Sequence, residues 1–66
     1  MRIHVDEQAG ALYLRLNEST VVESEEVQPG IVLDFDEDGK LVGIENLSVQ
    51  ERVPKADLKK SQFEFA

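Results

Sequence analysis

The fold of this chain is decided by residues 29–47, which read PGIVLDFDEDGKLVGIENL. The middle of this stretch matches the spacing of a calcium-binding loop, D-x-[DN]-x-[DN]-G-x5-E, in which oxygen ligands coil around the ion. The matching residues are Asp34, Asp36, Asp38, Gly39 and Glu45. Two interpretations follow from the match: a calcium site, or the acidic turn of a β-hairpin.

The flanks of the acidic stretch favour the hairpin. Pro29-Gly30 predicts a turn, and Ile31–Phe35 then alternates in the manner of a strand. A calcium loop of this class lies between two helices, and no entering helix fits these residues. In an extended strand Asp34 and Asp36 lie about 7 Å apart on one face, so they do not wrap an ion. We therefore predict no metal site, and calcium binding by the four acidic residues of the match is the alternative.

Burial predicts how the two strands of this hairpin pair. A four-residue loop at 36–39 places Leu33 opposite Val42 and gathers the apolar side chains on one face, whereas a shift by one residue separates them. Gly39 suits a left-handed backbone position in the loop. The two aspartates of the loop then stabilise the turn, and Asp34 is expected to be a surface charge.

The remaining segments complete the predicted fold. Alternating apolar residues indicate another hairpin in residues 1–17. Residues 17–29 are expected to be mostly irregular, and a short edge strand guarded by its charges is the alternative. Pro54 suits the first position of a short helix that ends at Lys60. Phe63 and Phe65 alternate with polar residues and indicate a terminal strand or an anchor.

These elements predict a single small domain over residues 1–66 of the α+β class. Its core is an antiparallel β-meander of two hairpins, with about four strands. A short C-terminal helix follows the sheet, and a terminal strand is a further element that the sequence allows.

The size of the chain favours self-association. It has 66 residues and no cysteine, which excludes disulfides, zinc–thiolate sites and thiol catalysis. Such a short chain buries only about 60% of its unfolded surface, and small domains often gain stability from a second subunit. Apolar side chains left over on the second face of the sheet predict a homodimer. The interface candidates are Val32, Leu41, Leu47, Phe63 and Phe65.

The charge of the chain limits its partners. The formal net charge is −7, from 7 basic and 14 acidic residues. Such a protein repels phosphate backbones and anionic membranes, so we expect neither nucleic acid nor membrane as a partner. A basic protein would be attracted. No segment is apolar enough to span a membrane and no signal-peptide pattern is present, so a cytoplasmic location is expected.

No motif in the sequence indicates catalysis or a cofactor. His4 is the only histidine, and no serine is paired with it by a known spacing. The acid pair Asp34 and Asp36 can perform acid–base chemistry only if it is buried and its pKa values are driven apart. A chain of this length can hardly enclose a substrate pocket. We therefore predict a protein that is not an enzyme and holds no cofactor.

Residues 29–47, together with Asp6 and the ALYL of residues 11–14, resemble the domain-of-unknown-function family 2283. Gly10 stands where many relatives carry aspartate, and Asn46 replaces the usual aliphatic residue. The resemblance implies a small bacterial or archaeal protein of unassigned function, without catalytic or ligand residues to carry over. Some relatives are encoded beside small toxin-like proteins, which implies an antitoxin-like role. The expected function is an interaction module that acts as a homodimer or with a basic protein partner.

Overall fold

The computed structural model describes residues 1–47 and 64. These residues form five strands: β1 (Arg2–Asp6), β2 (Ala11–Arg15), β3 (Glu23–Gln28), β4 (Ile31–Phe35) and β5 (Leu41–Asn46). The strands make one antiparallel sheet in the order β1-β2-β5-β4-β3. Strands β3, β4 and β5 form a meander, and the β1–β2 hairpin joins it because β2 pairs with β5.

The predicted α+β fold is wrong for the described residues, which form an all-β sheet without a helix. The helix expected at Pro54–Lys60 and the strand or anchor expected at Phe63 and Phe65 lie outside the described residues. Within residues 1–47 and 64, no helix is long and apolar enough to cross a membrane.

Residues 23–28 form an edge strand, so the prediction that residues 17–29 are mostly irregular is wrong for this part, and the alternative of a short edge strand guarded by its charges is confirmed. Glutamate is a poor strand former, and its repetition there favoured a loop. At an edge, however, a strand needs only one neighbour, and every residue of β3 stays exposed to water. The charges therefore cost little and guard the edge against unwanted pairing.

The connection between β2 and β3 crosses one end of the sheet. It begins where the backbone N–H of Leu16 donates to the carbonyl of Val42 over 2.7 Å. It ends where the N–H of Val22 donates to the carbonyl of Phe35 over 2.9 Å. Because both ends are held by backbone hydrogen bonds, the chain passes β5 and β4 and starts β3 on the far side of β4.

The β4–β5 hairpin keeps the predicted faces but not the predicted pairing. Leu33 lies opposite Ile44 and not opposite Val42, so the expected pairing is wrong by two residues. The register shifts by one residue after Asp34, which is the mark of a β-bulge. Gly39 adopts a φ of +76° in the loop, as expected of a glycine there. A bulge cannot be foreseen from alternation alone, because it inserts a residue without changing the pattern around it.

Apolar and polar side chains separate onto the two faces of the sheet. The apolar face contains Val42, which is fully buried. Around it are half-buried side chains from three strands: Leu12, Leu14, Ile31, Leu33 and Ile44. The opposite face is polar at its centre, where Tyr13 lies opposite Glu45 and Asp34 lies opposite Gly43.

Candidate functional site

Strand β3 gives the sheet an acidic edge, which we define as Glu23, Glu25 and Glu26. All three side chains are exposed, and none forms an ion pair with another described residue. The two arginines among the described residues instead approach Glu18, at 3.0 Å from Arg2 and 3.8 Å from Arg15. An edge strand also presents backbone N–H and C=O groups that have no neighbouring strand. Within the described part of the chain, the acidic edge therefore combines backbone groups that pair with no further strand and carboxylates that no cation neutralises.

The polar face of the sheet contains a buried carboxyl group. Asp34 is only 4% exposed, so the prediction that it is a surface charge is wrong. It accepts a hydrogen bond of 2.6 Å from the hydroxyl of Ser24, which lies opposite it on β3. A carboxylate in this setting needs donors around it, because burial without them is costly. Ser24 supplies one donor from the acidic edge strand itself.

Gly43 allows Tyr13 to reach Asp34. The tyrosine ring lies so close over the glycine that a Cβ atom at position 43 would be 2.6 Å from the Tyr13 hydroxyl oxygen and 2.7 Å from Cε1. Glycine inside a strand often marks such a close approach. Burial raises the pKa of Tyr13 above its usual value, and hydrogen bonding to Asp34 and the charge of Asp34 raise it further. The Tyr13 hydroxyl thus lies beside the Asp34 carboxyl group and responds to its charge.

Glu45 completes this group from β5, where it lies opposite Tyr13. Burial raises the pKa of Glu45 above its ordinary value, and its hydrogen bond to Asp34 and the charge of Asp34 raise the pKa further. Two acidic groups this close together disfavour a second negative charge, which is why the neighbouring Asp34 raises the pKa of Glu45. We call Tyr13, Ser24, Asp34 and Glu45 the carboxyl cluster.

The acidic residues of the calcium pattern fall into two separate groups. Asp34 and Glu45 belong to the carboxyl cluster, whereas Asp36 and Asp38 lie in the hairpin loop. The side chain of Asp36 accepts the backbone N–H groups of Asp38 at 2.9 Å and of Lys40 at 3.0 Å, which confirms its expected role in the turn. Within the part of the chain that the structure describes, no three acidic or histidine side chains are grouped to hold a metal ion. Calcium binding by these four residues stays the untested alternative to the predicted absence of a metal site.

Among the residues expected at a homodimer interface, Val32 lies directly opposite Glu26 of the acidic edge. Val32 and Leu41 are half-buried, and Leu47 is 37% exposed. Phe63 and Phe65 lie outside the described residues. An interface through this set stays a prediction.

Comparison with known proteins decides the family. The family model described as "Protein of unknown function (DUF2283)" matches residues 2–50. The chain belongs to this family. The resemblance noted in the sequence is thereby confirmed, and the match spans all five strands of the sheet. No curated protein and no solved structure matches the chain.

Two features of this DUF2283 sheet were missed by sequence reasoning. The contact between Tyr13 and Asp34 had a signal in Gly43, a glycine inside an otherwise aliphatic strand, which indicates a close approach. Ser24 had no signal, because its role depends on β3 lying next to β4. Asn46, which departs from the family pattern, has a buried side-chain oxygen to which no described residue donates a hydrogen bond.

Gly43→Ala should destabilise the sheet by about 1–3 kcal/mol, because the added methyl group displaces the Tyr13 ring. In a Tyr13→Ala background the same substitution should cost much less, since the clashing ring is gone. Urea denaturation of both single variants and the double variant gives the coupling, which should reach about 1 kcal/mol. An equal cost of Gly43→Ala in both backgrounds would contradict the close approach.

Glu45 should make the stability of the protein fall as pH rises. Its folded pKa lies above the value of 4.5 expected for the unfolded chain, so the folded state binds more protons between these two pH values. The stabilisation is fully present below pH 4.5 and is lost as pH rises through the folded pKa. Glu45→Gln keeps a donor at this position without titrating.

The unfolding free energy of the unmodified protein, minus that of Glu45→Gln, should therefore decrease with pH. Urea denaturation followed by circular dichroism at several pH values measures this difference. Glu37→Gln, in the exposed hairpin loop, is the matched control. A difference that does not vary with pH would contradict the raised pKa of Glu45.

Proposed function

We propose that this DUF2283 protein is a non-enzymatic interaction module that binds a basic protein partner at its acidic edge and also associates with itself. The observation that carries the proposal is β3, an exposed edge strand with three glutamates that no described cation neutralises. A cytoplasmic location belongs to the same proposal.

The shape of β3 suits the addition of a strand from the partner. An extended peptide that pairs with an edge strand gains affinity from backbone hydrogen bonds. Contacts between its side chains and those of the edge strand give specificity. Side chains alternate along a strand, so Glu25 projects on one face of the sheet and Glu26 on the other. A partner strand with basic residues on both faces therefore meets a carboxylate on each side.

Electrostatics would give this edge its selectivity. Residues 1–47 contain 11 acidic and 3 basic residues, a net charge of 3 − 11 = −8. The electrostatic field of this negative charge accelerates the approach of basic proteins at low salt and repels acidic ones. It also disfavours pairing between β3 strands of two copies, because carboxylates would face each other. The same charges thus attract one class of partner and reject another.

We interpret the carboxyl cluster on the polar face as a group that stabilises the sheet and not as a catalytic site. Ser24 donates a hydrogen bond to Asp34, and Tyr13 and Glu45 lie close enough to the same carboxyl group for its charge to raise their pKa values. These groups are engaged with one another across four strands, which stabilises the sheet that presents the acidic edge. An antitoxin-like role, as the family resemblance implies, is one form that binding to a basic protein would take.

Binding should depend on charge and on salt. A synthetic peptide of alternating lysine and threonine, which favours an extended conformation, should bind at low ionic strength and weaken as salt rises. A peptide of alternating glutamate and threonine should not bind. Fluorescence anisotropy of the labelled peptides measures both.

Glu25→Gln/Glu26→Gln should weaken binding of the basic peptide by about tenfold at low salt, because two carboxylates of the edge lose their charge. Glu7→Gln/Glu37→Gln removes the same net charge from the two hairpin turns and is the matched control. Equal losses in the two double variants, or binding that ignores salt, would show that the acidic edge is not the binding surface.

A further inference from the structure

Among the described strands, β1 forms the other edge of the sheet, and its side chains differ in charge from those of β3. We propose that the β1 strands of two copies pair antiparallel about a two-fold axis at His4, which joins the two sheets into one. This inference rests on the proposed self-association and names its surface. The occupant of the edge is thus a second copy of the same chain.

Charge complementarity points to this arrangement. The sequence of β1 is Arg2-Ile3-His4-Val5-Asp6, with a cation and an anion at equal distances from His4. Antiparallel pairing centred on His4 therefore places Arg2 of each copy opposite Asp6 of the other copy. Opposite charges at directly paired positions stabilise a sheet. Because of the two-fold symmetry, the interface contains this ion pair twice.

The apolar side of β1 fits the same register. Pairing about His4 places Ile3 opposite Val5 of the second copy, again twice. Ile3 is 47% exposed in the single chain although it lies on the apolar face of the sheet. Residues paired directly across two strands project on the same face, so the apolar faces of the two sheets become continuous.

Neighbouring registers lack this match. If the axis passes through Val5, Ile3 faces Glu7 of the second copy, an apolar side chain against a charged one. If it passes through Ile3, Arg2 faces His4, which offers no carboxylate. The register through Val5 also places His4 opposite Asp6, but only the register centred on His4 pairs Arg2 with a carboxylate on the polar face and Ile3 with an apolar residue on the other.

The acidic edge cannot associate with itself in the same way. When β3 pairs with β3 of another copy about Glu25 or Glu26, that glutamate faces its own copy across the axis, and like charges directly opposite are destabilising. Pairing of β1 with β3 of another copy leaves a free edge at each end and grows into an open fibre. Pairing of β1 with β1 closes at two copies.

The polar face leaves space for the second copy. Arg2 remains 66% exposed although it is bound to Glu18. A cavity of about 250 Å³ lies beside β1 and is lined by Arg2, His4, Tyr13 and Arg15 among others. Asp6 is exposed and accepts one hydrogen bond, from the backbone N–H of Ala9 at 3.1 Å. A carboxylate has further acceptor positions, so an additional bond to Arg2 of the second copy does not require this turn to open.

Cysteine cross-linking tests the register directly, because the chain has no cysteine of its own. Directly opposed residues in an antiparallel pair have Cα atoms about 4.5–5.5 Å apart, which is within the range of a disulfide. His4→Cys should therefore form a disulfide-linked dimer under mild oxidation. Arg2→Cys alone and Asp6→Cys alone should not, since identical residues then lie about 13 Å apart along the strands. A mixture of these two variants should cross-link.

Sedimentation equilibrium tests the ion pairs. Asp6→Lys should raise the dissociation constant of the dimer about tenfold or more, because two like-charged pairs replace two opposite ones. Arg2→Glu/Asp6→Lys restores opposite charges and should recover most of the affinity. Asp38→Lys makes the same change of charge in the exposed hairpin loop and should leave the dimer unchanged.

Each outcome separates the inference from the proposed function. A dimer in which His4→Cys fails to cross-link, or in which Ile3→Cys or Val5→Cys cross-links instead, overturns the proposed register and leaves self-association standing. A monomer overturns both self-association and this interface. Oligomers larger than a dimer indicate pairing of β1 with β3 and also overturn the interface. Salt-independent peptide binding overturns the acidic edge as a binding surface and leaves the β1 interface unaffected.

Discussion

The structure depends on one buried carboxyl group. Asp34 lies near the middle of a five-stranded sheet, where an unsatisfied carboxylate would be strongly destabilising. Its partners come from three other strands: Ser24 from β3, Tyr13 from β2 and Glu45 from β5. Because the requirement is met only when these strands are neighbours, the carboxyl group favours one strand order over its competitors. Alternation of apolar residues predicts strands but not their order in the sheet. The need of the Asp34 carboxyl group for polar neighbours favours the observed order.

The carboxyl cluster also explains how an acidic strand is retained in the sheet. Strand β3 contributes three glutamates and no buried apolar side chain, so packing alone holds it weakly. The hydrogen bond from Ser24 to Asp34 ties it to β4 on the polar face, beside the backbone pairing of the two strands. The edge can therefore keep its glutamates in water without separating from the sheet. A half-buried hydrogen bond between side chains thus holds a charged strand at the edge of the sheet.

The sequence was sufficient for the local elements and insufficient for the way they assemble. Alternation located both hairpins, and Gly39 indicated the left-handed turn that the structure shows. Strand β3 was given only as the alternative to an irregular segment, because charge argues against a strand until its place at an edge is known. The bulge after Asp34 and the pairing of β2 with β5 were missed, since both depend on contacts between distant segments. The burial of Asp34 follows from those contacts, which is why a residue expected at the surface became the centre of the site.

The two edges of the sheet differ in a way that gives the proposed assembly a definite size. β1 is complementary to itself, with Arg2 and Asp6 placed symmetrically about His4, whereas β3 repels itself through its glutamates. A sheet with one self-complementary edge and one self-repelling edge stops growing at two copies. The β1 edges are already paired with each other in the dimer, and the glutamates of β3 repel the β3 strand of a further copy. The resulting dimer carries an acidic edge at each end. A basic partner with two binding strands, or two copies of a partner with one, then meets a bivalent surface whose avidity exceeds the affinity of either edge alone.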